Sequence, residues 1–334
     1  MRCLMAMRDA VGHLRERAPL LGEMAEYHLG WTDGAFGDDR SRGKMMRPAV
    51  AIETARAVDG DAGAARAVPL AAAIELLHNF TLIHDDIQDN SPSRRHRPTV
   101  WATWGMPQAI NAGDALFAAA HLALVNAGEC GVAADVVLGL LRGFDATTIE
   151  IVSGQVLDIQ FESRQDVTPD EYIEMITGKT ARIVEFAAGG GAWIAGASPE
   201  VSAAMAEFGL ALGLGFQVQD DLLGTFGAAI DTGKAAADDI RRKKQSLPVL
   251  NLRQLASADD RRRLAALYAG PEIDSDGVAA ILDMMARYEI EQSVRDTVTR
   301  YHDEAQRALA ATELPQPALA PLAALVTRLE SRIT

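Results

Sequence analysis

The chain has 334 residues, 49% of them hydrophobic and 23% charged, which is enough to bury a large core in an ordinary globular protein. Its formal net charge of -14 excludes nucleic acid and anionic membrane as principal partners, because both select basic surface. Cys3 and Cys130 are the only cysteines, too few for a disulfide framework or a thiolate metal centre and in keeping with a reducing compartment.

From its first residues the sequence reads as helix. The opening stretch MRCLMAMRDAVGHLRER turns charged before it could form the apolar core of a signal peptide, and no apolar run reaches membrane-spanning length, so a cytoplasmic protein is expected. Alanine and leucine dominate, aromatics make up 5%, and apolar residues recur at helical spacing, which predicts an all-α single domain over residues 1–334. Helices are expected at 4–28, 46–58, 64–89, 106–126, 131–160, 169–195, 199–226, 235–254, 258–268, 275–290 and 291–311, with a short one closing the chain at 318–332. Residues 30–44, 90–98 and 224–233 carry the Gly, Pro, Asn and Asp of loops, and 269–277 is the best candidate for a linker.

The third of these helices ends in HDDIQD. Asp85 and Asp89, four residues apart, share a face with Asp86 beside them and His78 two turns earlier. Like charges at that spacing, at a helix end that already carries partial negative charge, call for a cation. A lone DDxxD also fits a solvated acidic helix end. Against that reading stands a second cluster: GFQVQDDLLG places Asp220 and Asp221 near the end of another apolar helix, with Gln217 one turn before. Two carboxylate rims without cysteine or paired histidine suit a hard cation, magnesium above all, which takes one or two carboxylates together with substrate phosphates. A phosphate-bearing substrate needs basic residues too, and short clusters supply Lys44 and Arg47, Arg94 and Arg95, Lys179, Lys234 and Lys244.

Taken in order, GKMMRP, HDDIQD, RRHRPT, GDAL, GQVLD, GKT, FQVQDD, GK and KKQSLP resemble the trans-isoprenyl diphosphate synthases, the polyprenyl synthetase family, over nearly the whole chain. The resemblance implies a helical bundle of the isoprenoid synthase type around a deep central cavity, a homodimer, and two aspartate motifs facing each other across the cavity mouth. Asp85, Asp86, Asp89, Asp220 and Asp221 would hold magnesium, three ions with diphosphate bound, and Asp239 would support the second motif's metal. Arg94, Lys179, Lys234 and Lys244 would grip the diphosphate of an allylic substrate (dimethylallyl, geranyl or farnesyl) with Gln217 beside it. Lys44, Arg47, His78 and Arg95 match positions that hold isopentenyl diphosphate, and Thr180, Gln155 and Phe216 match positions flanking the reacting carbons. Ionising an allylic carbon–oxygen bond requires fixed positive charge on the leaving group and a dry, apolar cavity around the carbocation.

The sequence departs from the family pattern in three places. Gly224 stands where a third aspartate is common, His96 where glycine is common, and Arg42 where a second glycine is usual. Phe80, five residues before Asp85 and followed by Thr81, matches the floor under the growing prenyl chain, a pattern resembling C20 geranylgeranyl diphosphate synthases with C15 as the neighbouring outcome. A class I terpene cyclase would pair its aspartate helix with an Asn, Ser and Glu triad, which is missing near FQVQDD. A non-catalytic regulatory subunit would lose motif aspartates, whereas five remain here. A structural helical scaffold would leave the acidic rims uncompensated.

Overall fold

The computed structural model describes residues 2–31, 45–227 and 237–330. Prolines set where many helices begin: Pro19, Pro69, Pro107, Pro169 and Pro248 all stand in a first turn, where the missing N–H costs no helical bond. The helix expected over 4–28 is accordingly two, α1 (Arg2–Arg17) and α2 (Pro19–His28), because Ala18 ahead of Pro19 is extended at φ -148°. Helix α3 (Met46–Arg66) outruns its expected end and kinks at Asp59–Gly60, where Gly60 takes φ +55°. Helix α4 (Val68–Gln88) carries the first aspartate motif.

After α4 comes a hairpin of two-residue strands, β1 (Ser93–Arg94) and β2 (Arg97–Pro98), in a stretch expected to be loop. Its turn residues Arg95 and His96 both have positive φ, 50° and 63°, the signature of the tight turn that matches strand twist. That explains why glycine suits position 96. The chain continues through α5 (Val100–Trp104), α6 (Met106–Val125), α7 (Ala134–Glu162) and α8 (Pro169–Ile176), a π-helical turn at Thr177–Ala181, then α9 (Arg182–Ile194) and α10 (Pro199–Phe226). The remaining helices are α11 (Asp238–Arg241), α12 (Leu247–Leu255), α13 (Ala258–Ala269), α14 (Ser275–Arg287), α15 (Ile290–Ala311) and α16 (Gln316–Glu330). Apart from the hairpin, the regular structure of the described residues is helical, so the all-α prediction holds.

The helices form two compact units. The first comprises Met1–Thr148, Phe186–Ala206 and Leu314–Leu319, the second Ile149–Glu185, Glu207–Glu313 and Ala320–Thr334. In the first, α4 is the centre. Every residue from Pro69 to Leu77 is buried, as expected of a helix with neighbours all round, and α6 covers its longest contact while α1 and α3 flank it. Each fully buried Leu or Ile there contributes roughly 1.5–3 kcal/mol, which keeps the acidic end of α4 in one place. In the second unit, Tyr172, Met175, Val218, Leu222, Ile240, Leu250, Ile281 and Met284 belong to one apolar cluster beneath the second aspartate pair. The 269–277 stretch joins α13 to α14 inside this unit rather than separating units.

Helix α10, 28 residues long, is long and apolar enough to cross a membrane by length and composition, although Glu207 and the Asp220–Asp221 pair interrupt the run in the sequence. Within its apolar window 56% is buried in the protein, the pattern of a core helix.

Candidate active site

Adjacent residues on a helix point about 100° apart, so an aspartate pair at the end of a half-buried helix must divide its side chains between core and solvent. Both pairs do so. In the first, Asp85 is half-buried and Asp89 exposed, while Asp86 is buried. The hairpin folds Arg94 back onto Asp86: its Nε donates to Oδ1 at 2.9 Å and Oδ2 at 3.1 Å, and a second guanidinium nitrogen lies 2.9 Å from Oδ1. Burial holds the Asp86 carboxyl above its usual range against the pull of Arg94. Thr99 Oγ1 and Trp101 Nε1 both donate to the Ser91 carbonyl, at 3.0 and 2.9 Å, and pin the approach to the hairpin.

A basic pocket adjoins this pair. Tyr27, His28, Asp86, Arg94, Arg95 and Arg97 are among its lining. Burial first, then Arg94 and Arg95, push His28 down to about 3, and its Nε2 is shut from solvent without a hydrogen-bond partner among the described residues. His78 is likewise held well below the usual range, by burial and then by Arg47 and Arg95. Asn79 donates to the Glu75 carbonyl at 2.8 Å and to its Oε1 at 3.3 Å; burial raises the Glu75 carboxyl while Arg47 opposes it. Neutral imidazoles among arginines make an environment suited to an anion. The motifs pointed to Arg47, His78, Arg94 and Arg95, but not to His28, Glu75 or Asn79. His28 lies on another helix at no motif spacing, and only its charge-rich surroundings reveal it.

In the second unit, Asp220 is exposed and Asp221 fully buried. Asp221 is ringed by donors: the Tyr172 hydroxyl, Gln217 Nε2 at 3.3 Å, Lys244 Nζ at 3.4 Å and the Leu247 N–H at 3.3 Å. Burial, and then the Asp221 charge, keep the Tyr172 phenol well above its usual range, so it remains a donor. Lys244 also lies 3.9 Å from Asp239 Oδ2. Thr180 Oγ1 donates to Gln217 Oε1 at 3.2 Å, Lys179 pairs with Asp158, and Gln155 and Phe216 are half-buried in the same unit. Tyr172 is the residue that motif reading missed here; its partner is 49 positions away.

Two glycines account for the GQ and GKT motifs. A Cβ at Gly154 would stand 2.3 Å from the Lys179 backbone nitrogen, and one at Gly178 would stand 2.7 Å from the Glu150 carbonyl. Helix α7 therefore crosses the π turn at backbone contact, which fixes where Lys179 and Thr180 emerge. At Gly224 the steric reason is different. A Cβ there would lie 2.3 Å from Asp239 Oδ2, so the Asp239 carboxylate fills the space in which a third aspartate of the motif would begin. Thr81 Oγ1 donates to the His78 carbonyl at 2.8 Å, and the Phe80 ring lies 4.7 Å from His84 and 5.1 Å from Phe117. Lys44 and Lys234 lie outside the described residues.

Among the described residues no three carboxylates, histidines or thiols converge as a ready-made metal cage. The donor set nevertheless fits magnesium, which needs only one or two carboxylates when phosphate oxygens and water complete its shell. Asp85 with Asp89 on one helix face, and Asp220 on another helix, present such oxygens away from the core.

Acid-ended apolar helices, each with an inner aspartate tied to a basic side chain, put this all-helical chain in the isoprenoid-synthase class of fold. Residues 39–285 match the family model described as polyprenyl synthetase, and the chain belongs to that family. It is 42% identical over 237 residues to the (2E,6E)-farnesyl diphosphate synthase of Mycobacterium bovis, a match covering 69% of this chain and 63% of that protein's length. It is 40% identical over 278 residues to the geranylgeranyl diphosphate synthase of Mycobacterium tuberculosis, covering 80% of this chain and 74% of that protein. Among solved structures, the polyprenyl synthetase of Streptomyces coelicolor A3(2) superposes with a TM-score of 0.87 at 33% identity, over 98% of this chain and 96% of that one.

Proposed function

We propose that the protein is a magnesium-dependent trans-prenyltransferase that condenses isopentenyl diphosphate with an allylic diphosphate to give a short-chain prenyl diphosphate. The observation that carries the reading is the shared division of labour in the two motifs: an outer carboxylate and an inner one held by a cation, Asp86 by Arg94 and Asp221 by Lys244. Membership of the family, with relatives named for farnesyl and geranylgeranyl diphosphate synthesis, supports it.

In this reading Asp85, Asp89 and Asp220 are the metal-facing carboxylates, and Asp86, Asp221 and Asp239 stand behind them. Magnesium, as three ions with diphosphate, supplies charge neutralisation for the leaving group. Arg94, Lys179, Lys234 and Lys244 bind the allylic diphosphate and stabilise the charge that grows on it as the carbon–oxygen bond breaks. Lys44, Arg47, His78 and Arg95 hold isopentenyl diphosphate. Its double bond attacks the carbocation, with Thr180, Gln155 and Phe216 flanking the reacting carbons and Gln217 beside the allylic diphosphate. The proton then released goes to the departing diphosphate, so no side-chain base is required. Phe80 closes the space below and favours the C20 product, with C15 as the alternative.

The exposed apolar stripe on α7, made of Ile149, Val152, Val156 and Ile159, supports a homodimer. A sedimenting species of twice the chain mass is expected, and a monomer at all concentrations would refute it. A cytoplasmic location completes the proposal.

The deciding experiment incubates the pure protein with magnesium, isopentenyl diphosphate and dimethylallyl, geranyl or farnesyl diphosphate, and counts the carbons of the dephosphorylated product. Elongation that stops on chelation is expected. A cyclic product formed without isopentenyl diphosphate would indicate a terpene cyclase, and inactivity of the chain alone would indicate a regulatory subunit.

A further inference from the structure

The hairpin that carries Arg94 and Arg95 is too small to hold its own shape. Its strands β1 and β2 are two residues each, and its turn puts two residues that are not glycine, Arg95 and His96, at positive φ. An isolated hairpin is marginal in water even with longer strands, and positive φ adds strain for any residue with a Cβ. Contacts from outside must fix it. At its base the Thr99 N–H donates to the Pro92 carbonyl at 3.0 Å, and on β1 Arg94 is tied to Asp86 of α4. Strand β2 is held by Tyr27, in the last turn of α2. The Tyr27 hydroxyl donates to the Pro98 carbonyl at 3.0 Å. The Arg97 guanidinium lies over the Tyr27 ring, 4.2 Å from its centroid, and its Nη1 is 3.5 Å from the Tyr27 carbonyl. Trp104 of α5 stands edge-on to the same ring at 5.0 Å, with 81° between planes.

One side chain thus grips both residues of β2, through its hydroxyl at Pro98 and its ring face at Arg97. Tyr27 is itself well founded, because Met24 and Ala25 of the same helix are buried in the core of the first unit. A hydrogen bond and a cation over a ring face each prefer one direction of approach, so together they fix the orientation of β2 as well as its distance from α2. Arg95 stands in the turn two residues before Arg97, and its Cα goes where β2 goes; Arg94 is held a second time by Asp86. We infer that Tyr27 is a positioning residue for isopentenyl diphosphate: it clamps β2 and so sets where Arg95 presents its guanidinium. The inference rests on the reading of Arg95 as a ligand of isopentenyl diphosphate and adds to it a residue on another helix, at no motif spacing.

Steady-state kinetics with magnesium, each diphosphate varied while the other saturates, provide the test, and a thermal melt confirms that every variant is folded. Tyr27→Leu removes ring and hydroxyl; it is expected to raise KM for isopentenyl diphosphate about tenfold, while kcat and KM for the allylic diphosphate change by less than about twofold. Tyr27→Phe keeps the ring and loses one hydrogen bond, so its KM for isopentenyl diphosphate returns to within about threefold of the parent. Arg97→Met breaks the same clamp from the hairpin side, and Tyr27→Leu/Arg97→Met is expected to be no worse than either single variant, because the two residues share one contact. Should Tyr27→Leu melt below the assay temperature, Tyr27→Phe and Arg97→Met carry the same comparison. If the effects of the two substitutions multiply, Arg97 acts on its own and the clamp is wrong. If a folded Tyr27→Leu keeps the parent's KM for isopentenyl diphosphate, or lowers kcat and raises both KM values alike, the clamp is wrong and the functional reading stands. If the parent protein elongates no allylic diphosphate, the functional reading is wrong and the inference falls with it.

Discussion

Gly224 looks in the sequence like a lost metal ligand, and the structure gives it a different meaning. The Asp239 carboxylate, buried and close to Lys244, occupies the place where a side chain at 224 would start, 2.3 Å from an added Cβ. Restoring the family's third aspartate should therefore harm the protein. Gly224→Asp overpacks the site and sets two carboxylates together, at a cost of about 1–3 kcal/mol by urea denaturation, and kcat/KM falls at least about tenfold as Asp239 and Lys244 shift. A variant with the parent's denaturation midpoint and turnover would show that Asp239 does not hold that space. Most site residues were legible because the chemistry confines them to short charged motifs. The unequal roles within each aspartate pair were not, since the letters are identical and only helix phase against the core separates Asp85 from Asp86 and Asp220 from Asp221. Tyr172 and His28 were hidden for another reason: each acts on residues far away in the chain, and neither spacing nor charge pattern announces it.

Among the elements, long helices with steady apolar periodicity were read to within a few residues, as α6 and α10 show. Errors fall where a single residue overrides the period. Pro19 divides the first expected helix, and the one expected over 235–254 is broken because residues 242–246 leave the helix ahead of Pro248. The π turn at Thr177–Ala181 left no trace in the apolar pattern, because the surplus residue is absorbed within one turn. It lies at the glycine crossing with α7, which makes a prediction at this scale. Gly154→Ala drives a methyl group to 2.3 Å from the Lys179 nitrogen and 2.8 Å from the Met175 carbonyl, both of them backbone atoms with little room to give. The melting temperature should drop by several degrees, corresponding to at least about 1–3 kcal/mol, and KM for the allylic diphosphate should rise because Lys179 is displaced. An unchanged melt would mean that the helices can separate without cost.

At the scale of the molecule, the neutral imidazoles of His28 and His78 couple global stability to pH. His28 titrates at about 3 when folded and near its ordinary 6.5 when unfolded, and His78 is lowered in the same direction. Between those values the unfolded chain binds a proton that the folded chain refuses. Stability is therefore complete above pH 6.5 and declines as pH falls through it, by up to about 1.4 kcal/mol per pH unit for each imidazole. Urea denaturation at pH 7 and 5.5 should show this loss, and His28→Gln should remove one imidazole's share. An identical slope in the variant would show that His28 protonates freely in the folded protein. The composition announced an all-helical chain, but the division into two units was not legible, because the chain passes between them inside continuous helices such as α7 and α10 rather than through a Gly- or Pro-rich linker.

The greasy ridge along the outer turns of α7 has a practical corollary. If a twin molecule shields it, catalytic competence becomes a mass-action property. Assays run at nanomolar protein would lose specific activity with time, whereas concentrated stocks would keep it, and freshly diluted samples would cling to vessel walls as Ile149 and Val152 meet water.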